Sequence, residues 1–442
     1  MSNDQVALFT ATAPTPNGAL HVGHLSGPYL ACDIAARAAR ASGEQVLTMC
    51  GLDPHQNYVV SRSEALGQPV ETVLDRFEGE IRQALARARI DFDLFLRPRE
   101  DARYRTAVAD LLTELVATKA AELAETELLA CAGCGRTLHH VWVSGRCPVC
   151  GGAAAGGGCE GCGSLLAATD IRDARSTCCG VGTRPFTARV PVLRLEGYRD
   201  QLTEVWARAA MPDRVRRMVS GYLTGGLPTV PLAYPTDWGI PWPGPDGTLR
   251  VDVWVEMGLG YLYAVPRQLG HTGDPAPGWS RVDKVWNFLG FDNAPYYAIL
   301  FPALFAAAGV RPGWLGGLVV NEFYRLDGAK FSTSRNHAIW AHELLADEDP
   351  AAVRLFLCWD RPDRQGTDFT RTSYRAFRYW YRDAGTLPAD LADAELDRAE
   401  RALRPGCFDP ALAVRGALAA ARARPERATA LLAMLAGEGT GA

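Results

Sequence analysis

The chain has 442 residues, of which 48% are hydrophobic, and carries a formal net charge of −4. This length can bury a core divided over two or three domains, and the small negative charge excludes a protein that binds polyanions over its whole surface. The N-terminus has no basic region followed by an apolar segment, and the sequence has no run of about 18 uncharged apolar residues. We therefore expect a cytoplasmic protein that makes no membrane contact.

The N-terminal segment predicts a strand, a loop, a helix and a second strand. "VALFTATA" (residues 6–13) has the composition of a buried strand, and apolar residues recur at helical spacing from about residue 21 to 41. "QVLTMC" (residues 45–50) predicts the next strand. Because a helix that connects two such strands places them parallel, the sequence predicts an α/β fold. Helical patterns then continue to about residue 129.

Eight of the twelve cysteines lie between residues 131 and 179. In a sequence that looks cytosolic, such clustering in pairs favours metal binding over disulfides. The spacing of two residues within a pair is typical of zinc knuckles, so one structural zinc is predicted on Cys147, Cys150, Cys159 and Cys162. A second zinc could bind Cys131, Cys134, Cys178 and Cys179, although adjacent cysteines fit a knuckle turn poorly.

Two histidines in the same region, His139 and His140, could replace a ligand of the second zinc, and exposed loop positions are the alternative for both. The remaining cysteines are predicted to be ordinary small buried residues: Cys32, Cys50, Cys358 and Cys407.

Helical patterns return at residues 199–219, and a second α/β portion is predicted for residues 237–320 with strands at "VDVWVEM" and "GGLVV". After residue 336 the chain is predicted to be helical, with helices that begin at Pro350, Pro410 and Pro425. The alanine- and arginine-rich C-terminus predicts two short surface helices with a frayed end.

The stretch "PTPNGALHVGH" (residues 14–24) places His21 and His24 one helical turn apart. They could bind a metal, lie in the core, or face a phosphate at the start of a helix. The position after the first strand favours the phosphate, because free N–H groups and the helix dipole attract anions there. Far downstream, "LDGAKFSTSRNHAIW" (residues 326–340) provides Lys330 in a hydroxyl-rich loop that could reach the same phosphates.

Together these motifs resemble those of class I aminoacyl-tRNA synthetases, and of methionyl-tRNA synthetases in particular. "APTPNGALHVGH" is similar to the HIGH signature and "KFSTS" to the KMSKS loop. "GLDPHQNYV", the cysteine knuckles, "DWGIPWP", "VWVEMGLGYLY" and "FLGFDNAPYYAILFPAL" follow in the order of that family. The resemblance covers roughly residues 5–375. It implies a Rossmann-type catalytic domain with a zinc-knuckle connective insertion, and a short α-helical region in place of most of the anticodon-binding domain.

On this resemblance the chain divides into five parts. Residues 1–118 form the first half of the catalytic domain, 119–232 the connective insertion with knuckles at about 131–180, and 233–321 the second half. Residues 322–388 form a helical region that contains the KMSKS-like loop, and 389–442 a short helical tail.

The resemblance implies that the protein binds ATP with Mg²⁺ and forms an aminoacyl adenylate with release of pyrophosphate. The catalytic residues would be His21, His24 and Lys330. The ATP-binding residues would be Asn17, Gly23, Asp292, Asn293, Phe331, Ser332 and Ser334. The amino-acid-binding residues would be Ala13, Thr15, Asp53, Trp254, Gly258, Tyr261, Tyr297 and Phe301, with Asp53 receiving the ammonium group.

Several positions depart from the family. Ala13 and Thr15 stand where larger side chains are usual, Tyr297 replaces a histidine, and Thr333 replaces the second lysine of the loop. Methionine or another amino acid could therefore be the substrate. The short tail favours a ligase whose acceptor is a small amine or a carrier protein. The alternative is a minimal methionine–tRNA ligase that charges tRNA without an anticodon domain, and a more remote one is an inactive, zinc-bearing RNA-binding module.

Overall fold

The computed structural model describes residues 5–331, 337–363, 365–380 and 387–438. Within these ranges, a central sheet contains five parallel strands: β1 (Val6–Ala11), β2 (Val46–Gly51), β3 (Leu94–Leu96), β4 (Val282–Gly290) and β5 (Leu315–Asn321). Their spatial order is β3-β2-β1-β4-β5. The order reverses between β1 and β4, and ligands of open α/β sheets bind in the crevice at the carboxyl ends of the strands beside this reversal.

Helices cover both faces of the central sheet, so the strands consist of nearly continuous apolar runs. In β1, Leu8 and Phe9 are both buried although they point to opposite faces. The polar Thr10 is buried too, and its hydroxyl hydrogen-bonds to the Asn287 side chain of β4 at 2.6 Å. Core packing therefore fixes β1 and β4 beside each other, and with them the loops that follow both strands.

The segment after β1 is not one continuous helix as the periodicity predicts. It consists of a short helix (Val22–His24), a π-helical turn (Leu25–Tyr29) and a longer helix (Leu30–Ala41). Pro28 has no N–H to donate, and Gly27 leaves the helical region with ψ at −110°. The histidine pair therefore sits on its own short turn ahead of the long helix.

The remaining helices mostly surround the two halves of the sheet. Their bounds are Asn57–Leu66, Val70–Arg87, Ala102–Ala117, Arg199–Arg208, Asp213–Gly225, Val253–Gln268, Pro275–Gly278, Phe301–Ala307, Ala341–Asp347, Pro350–Trp359, Arg371–Trp380, Ala389–Arg401, Pro410–Ala420 and Pro425–Leu435. No helix of the described residues combines the length and apolarity that spanning a membrane needs.

Residues 122–194 are built mainly from strands, so the prediction of helix up to residue 129 is wrong. A long hairpin pairs Glu122–Cys131 with Thr183–Arg194, and Thr229–Pro231 joins its edge. A small antiparallel sheet contains Val143–Arg146, Ala153–Ala155, Gly157–Gly158, Leu165–Leu166 and Arg172–Ser176. The strand Glu122–Cys131 forms because its partner lies some sixty residues downstream, beyond the range of local periodicity.

Short strands also flank the catalytic part. One sheet contains Ala233–Tyr234, Pro241–Gly244 and Gly247–Val251, and another contains Arg325–Leu326, Ala329–Lys330 and Asp368–Phe369.

The predicted strand "VDVWVEM" is a helix. Asp252 caps the helix Val253–Gln268 by accepting hydrogen bonds from the N–H groups of Trp254 and Val255. The alternation of apolar and polar residues suggests a strand, but the polar members are a cap and the buried Glu256. The helix is buried on all sides, so its polar residues do not mark a solvent-facing side as they would in a strand. The strand predicted at "GGLVV" is confirmed as part of β5.

The C-terminal residues form packed helices, not two short helices on the surface. Ala389–Arg401 precedes the predicted helices that begin at Pro410 and Pro425, and Leu431 and Leu435 are buried in the same core as the long N-terminal helix. Arg354 joins the parts: its fully buried guanidinium donates to Asp33 Oδ2 (2.6 Å), to the carbonyl of Ala88 (2.7 Å) and to the carbonyl of Leu435 (3.0 Å). The last described turn is thereby fixed to the helix Leu30–Ala41 and to the end of the helix Val70–Arg87.

Candidate active site

The residues that the motifs single out gather at the carboxyl ends of the central strands. Ala13 and Thr15 follow β1, Asp53 follows β2, and Asp292 and Asn293 follow β4. Asn17 lies in the turn between β1 and the histidine pair, half-buried. The topology therefore brings side chains from distant parts of the sequence to one crevice at the point where the strand order reverses.

His21 and His24 form a reciprocal cap at the start of the short helix Val22–His24. The backbone N–H of His24 donates to Nδ1 of His21 (3.2 Å), and the backbone N–H of His21 donates to Nδ1 of His24 (3.4 Å). The two rings stack with centroids 3.6 Å apart. Because both Nδ1 atoms accept a hydrogen bond, the neutral rings carry their protons on Nε2. Each ring can therefore donate from Nε2 to an anionic oxygen.

The chain on both sides of the KMSKS-like loop contacts this histidine turn. Phe331 stacks on the His21 ring with centroids 4.6 Å apart. Beyond the loop, the carbonyl of Ile339 accepts a hydrogen bond from Val22 N (3.0 Å), and Trp340 forms a β-bridge with His21. The prediction that these two distant motifs meet therefore agrees with the backbone geometry. Ser332, Thr333 and Ser334 lie outside the described residues, and the backbone of Lys330 pairs with Arg325 in a short hairpin.

Gly23 lies between the two histidines, and a Cβ there would approach the His21 ring to 3.1 Å and the Cβ of Tyr324 to 3.2 Å. At the end of β4, a Cβ on Gly290 would lie 2.5 Å from Asp292 Oδ1. A side chain at residue 290 would therefore require the Asp292 carboxylate to move from this position.

Asp53 is a buried carboxylate with one unpartnered oxygen. Its side chain is 4% exposed, Thr15 Oγ1 donates to Oδ2 at 3.0 Å, and Oδ1 has no hydrogen-bond partner. Burial raises the pKa of this carboxyl well above its usual range, the charge of Glu256 raises it further, and the Thr15 hydrogen bond opposes the shift. A buried acceptor without a donor requires an explanation, and a cationic ligand provides one.

A small cavity lies beside the ends of β1 and β2. Ala13 and Tyr261 line it, as the resemblance implies. Met257, which replaces an alanine at a pocket position of the family, lines it too. Sequence reasoning missed the remaining walls: Cys50, Gly51, Leu52, Leu96, Pro98 and Tyr104. No charged side chain lines the cavity, which suits an uncharged substrate side chain. Tyr104 carried no local signal, because it comes from a helix remote from every motif.

The other predicted amino-acid-binding residues form an aromatic layer behind this cavity. Trp254 stacks on Tyr296 with centroids 3.7 Å apart, and the hydroxyls of Tyr261 and Tyr297 are 3.3 Å apart. A Cβ on Gly258 would approach Leu304 to 2.8 Å and Phe301 to 3.2 Å. In this structure Gly258 and Phe301 therefore serve the close packing of two helices and do not line the cavity.

Two sets of four thiols are brought together in the insertion, with all sulfurs of a set within 4.8 Å of one another: Cys147, Cys150, Cys159 and Cys162, and Cys131, Cys134, Cys178 and Cys179. Individual Sγ–Sγ distances are 3.6–3.7 Å, as for Cys134–Cys178 and Cys147–Cys162. Tetrahedral zinc with thiolate bonds of about 2.3 Å separates sulfurs by about 3.8 Å, whereas a disulfide needs about 2 Å. Both sets therefore fit zinc, including the set with adjacent cysteines.

The two insertion histidines are not exposed and belong to neither thiol set. His139 is buried and stacks on Tyr234 with centroids 4.7 Å apart. Burial and the neighbouring His140 lower the pKa of His139 to about 3, so the ring is neutral at physiological pH. The prediction that these two histidines occupy exposed loop positions is therefore wrong. Among the scattered cysteines, Cys32, Cys50 and Cys358 are buried as predicted, but Cys407 is exposed.

The strand order and the crevice define a Rossmann-type α/β protein with a candidate nucleotide site. Residues 7–377 match the family described as tRNA synthetases class I (M). The chain belongs to this family.

Named relatives agree with this assignment. The chain is 32% identical over 389 residues to the methionine–tRNA ligase of Flavobacterium psychrophilum, a match that covers 85% of this chain and 56% of the relative. It is 31% identical to the methionine–tRNA ligase of Pyrococcus furiosus, with 83% and 53% covered. The chain thus spans about half the length of these relatives. The solved structure of Mycobacterium tuberculosis methionyl-tRNA synthetase in complex with methionyl-adenylate shares the fold, with a TM-score of 0.70 at 19% identity and with 98% of this chain and 90% of that chain covered.

Proposed function

We propose that this protein activates an amino acid with ATP and transfers the aminoacyl group to tRNA, as a methionine–tRNA ligase does. The single observation that carries the activation step is the buried Asp53 carboxylate, with one unpartnered oxygen, in the same crevice as the His21–His24 pair. The relatives named methionine–tRNA ligase favour tRNA and methionine over the small amine or carrier protein that the sequence favours.

In the first step, a carboxylate oxygen of the amino acid attacks the α-phosphorus of ATP. A mixed anhydride forms, the bond to the β-phosphate oxygen breaks, and pyrophosphate leaves with Mg²⁺. Asp53 holds the substrate ammonium, which replaces the missing donor at Oδ1. In the second step, a ribose hydroxyl of the tRNA attacks the carbonyl carbon, so that an ester forms and AMP leaves.

The histidine pair accelerates the first step by donating hydrogen bonds to phosphate. The backbone N–H groups fix both Nδ1 atoms, so the Nε2–H groups are oriented before ATP binds. Donors that are already oriented cost no reorganisation when charge develops on the phosphate oxygens. Asp292 and Asn293 are proposed to hold the ribose, and Lys330 and the loop after it to contact the leaving pyrophosphate.

The two thiol sets would hold Zn²⁺ as structural cross-links, one on Cys147, Cys150, Cys159 and Cys162 and one on Cys131, Cys134, Cys178 and Cys179. With four sulfurs on each ion, no coordination position is left for a substrate. The metal therefore supplies folding energy to a segment with little core of its own.

Amino-acid-dependent ATP–pyrophosphate exchange, measured with each amino acid in turn, tests the activation step. We expect exchange with methionine. Charging of total tRNA with the same labelled amino acid tests the acceptor. Absence of exchange with every amino acid would refute activation. Exchange without any charging would refute tRNA as the acceptor and return the small amine or carrier protein to first place.

A further inference from the structure

One arginine outside the predicted site, Arg214, joins the start of a helix to one of the thiol-bearing loops. It lies in the first turn of the helix Asp213–Gly225, and its Nη2 donates to Gly161 O at 2.8 Å. Gly161 stands between Cys159 and Cys162 of one thiol set. A charge-carrying donor on a backbone carbonyl is a strong contact, so the loop and the helix start are fixed to each other.

The same guanidinium covers the carboxyl ends of two central strands. Its Cζ lies 3.4 Å from the ring centroid of Phe291, and Nη1 forms an ion pair with Glu322. Phe291 is the first residue after β4, and Glu322 is the first residue after β5. The last residues of these strands, Gly290 and Asn321, are partners in the sheet. Arg214 therefore bridges two neighbouring strand ends at the edge where the crevice lies.

These contacts use different parts of one planar group. A face of the guanidinium lies on the Phe291 ring, while its two terminal nitrogens contact Glu322 and Gly161 O separately. Only arginine combines a flat cationic face with a fork of donors, because a lysine has a single nitrogen at its end. Phe291 is 2% exposed, and a Cβ on Gly163 would lie 3.3 Å from its Cζ. The ring is thus packed between the arginine and the loop.

Two further residues on the same helix face stabilise the loop. Met218 and Tyr222 follow Arg214 at intervals of four residues, which places the three side chains in one row. A Cβ on Gly163 would collide with Sδ of Met218, and the Tyr222 hydroxyl accepts a hydrogen bond from Leu165 N at 2.6 Å. The loop is therefore held at three points, and Arg214 is the point that also reaches the crevice.

The turn Phe291–Asn293 contains the side chains that we assign to the ribose. Asp292 directly follows Phe291, and the turn closes with a hydrogen bond from Ala294 N to Phe291 O. In a turn this short, the position of the Phe291 ring determines the position of the next side chain. Hydrogen bonds from ribose hydroxyls to a carboxylate weaken steeply when distance or angle changes.

We propose that Arg214 is a positioning residue for the nucleotide. It acts through Phe291 to hold Asp292 where that carboxylate accepts hydrogen bonds from the ribose hydroxyls, and its contact with Gly161 O couples this turn to the thiol-bearing loop. This role rests on the proposed function, which assigns the ribose to Asp292.

The test compares ATP with 2′,3′-dideoxy-ATP, which lacks both ribose hydroxyls. The Kd of each is measured by calorimetry on the full chain, with Mg²⁺ and without an amino acid. We expect the unmodified protein to bind ATP about ten-fold or more tightly than the dideoxy compound, because hydrogen bonds to a charged group are lost. In Arg214→Ala this preference should fall to about two-fold, since the carboxylate is displaced.

The matched control is Arg199→Ala. Arg199 pairs with Glu196 and donates to Leu223 O at 3.0 Å, so it anchors the other end of the same helix, and its side chain is 31% exposed against 32% for Arg214. The control should keep the full preference for ATP. Arg214→Lys retains a cation over Phe291 and should keep part of the preference. If thermal unfolding shows that Arg214→Ala is not folded at the assay temperature, the lysine variant decides by the same ratio.

A folded Arg214→Ala or Arg214→Lys variant that prefers ATP as strongly as the control does would overturn the proposal, whatever its overall rate. Equal binding of both nucleotides by the unmodified protein, or no binding of either, would overturn it as well. In pyrophosphate exchange, Arg214→Ala should raise the KM for ATP and leave the KM for the amino acid within about two-fold, because Arg214 does not line the amino-acid cavity. Loss of exchange in every protein, including the unmodified one, would count against the proposed function, and the Kd ratios would still decide on Arg214.

Discussion

Nε2 of His140 lies 2.6 Å from Oδ2 of Asp252, and both side chains are buried. Asp252 caps the helix Val253–Gln268, whereas His140 belongs to the cysteine-rich insertion. His140 adopts a left-handed backbone conformation with φ at +47°, which is costly for a non-glycine residue. This contact therefore connects the cysteine-rich insertion to the helix that carries Trp254 and Tyr261.

His140→Ala is expected to raise the KM for the amino acid in pyrophosphate exchange about ten-fold, with a smaller change in kcat. The alanine leaves the buried Oδ2 of Asp252 without its side-chain partner, which loosens the helix start. His140→Gln can still donate to Asp252 and should recover much of the KM. If both variants lowered the melting temperature but kept the normal KM, the pair would be structural only.

Asp53→Asn is expected to abolish amino-acid-dependent exchange and to raise the melting temperature at neutral pH. Burial and then Glu256 raise the pKa of Asp53 in the folded protein. Such an acid contributes stability below its unfolded pKa and loses it as the pH rises through the folded pKa. At pH 7, above the unfolded pKa, the raised pKa of Asp53 is therefore a net cost to folding, and a neutral amide removes it. Thermal melts and exchange assays on the same samples check both parts.

The Thr15 hydroxyl offers an independent check on this carboxyl. Its hydrogen bond lowers the pKa of Asp53 against the effect of burial. Thr15→Ala should therefore move the acid limb of the exchange profile to higher pH, and Thr15→Ser should keep it in place. An unchanged limb in the alanine variant would mean that Asp53 does not control that limb.

His24→Ala is expected to slow pyrophosphate exchange by about 100-fold, the usual effect of losing an oriented donor to developing charge. His24→Asn can still accept the hydrogen bond from His21 N, but it has no group at the position of Nε2. Its exchange rate should fall as far as that of the alanine variant while its stability stays closer to the unmodified protein. The half-buried His271, which lies outside the crevice and contacts Asp274 O, provides the matched control, since His271→Ala leaves the crevice intact. A fully active asparagine variant would contradict donation from Nε2.

Metal analysis should give two zinc ions per chain. Cys150→Ser and Cys134→Ser, each from a different thiol set, should each reduce the content to about one. Chelation of both ions should unfold the insertion and shift amide exchange there, since the segment has only small clusters of buried apolar residues. A content of one zinc that only Cys150→Ser removes would leave the set with adjacent cysteines unmetallated.

The position of the crevice could be predicted from sequence because it depends on motif order. Two motifs place it at one edge of the sheet: a strand followed by a histidine turn, and a loop with Lys330 far downstream. The stacking of Phe331 on His21 agrees with this placement. Most of the cavity walls could not be predicted. Tyr104, for example, reaches the site from a helix whose own sequence indicates only amphipathic packing.

The wrong predictions of secondary structure have physical causes that cannot be read from local sequence patterns. "VDVWVEM" alternates like a strand, but Asp252 is a helix cap and Glu256 is buried against His55. The strand Glu122–Cys131 takes its stability from residues 183–192, which no local window includes. His140 gave no signal for the same reason, because its partner lies 112 residues away.

The contacts of Arg354 determine how far the protein can be truncated at its C-terminus. Expression of residues 1–388 alone would remove the Leu435 carbonyl and the turn at Gly437, where an added Cβ would lie 2.7 Å from Cζ of Arg354. Water would then reach a charge that the intact chain keeps fully buried together with Asp33, on the helix that continues from the histidine turn. The C-terminal helices are thus part of the folding unit, and a shortened version for crystallisation or screening should keep residues through 438.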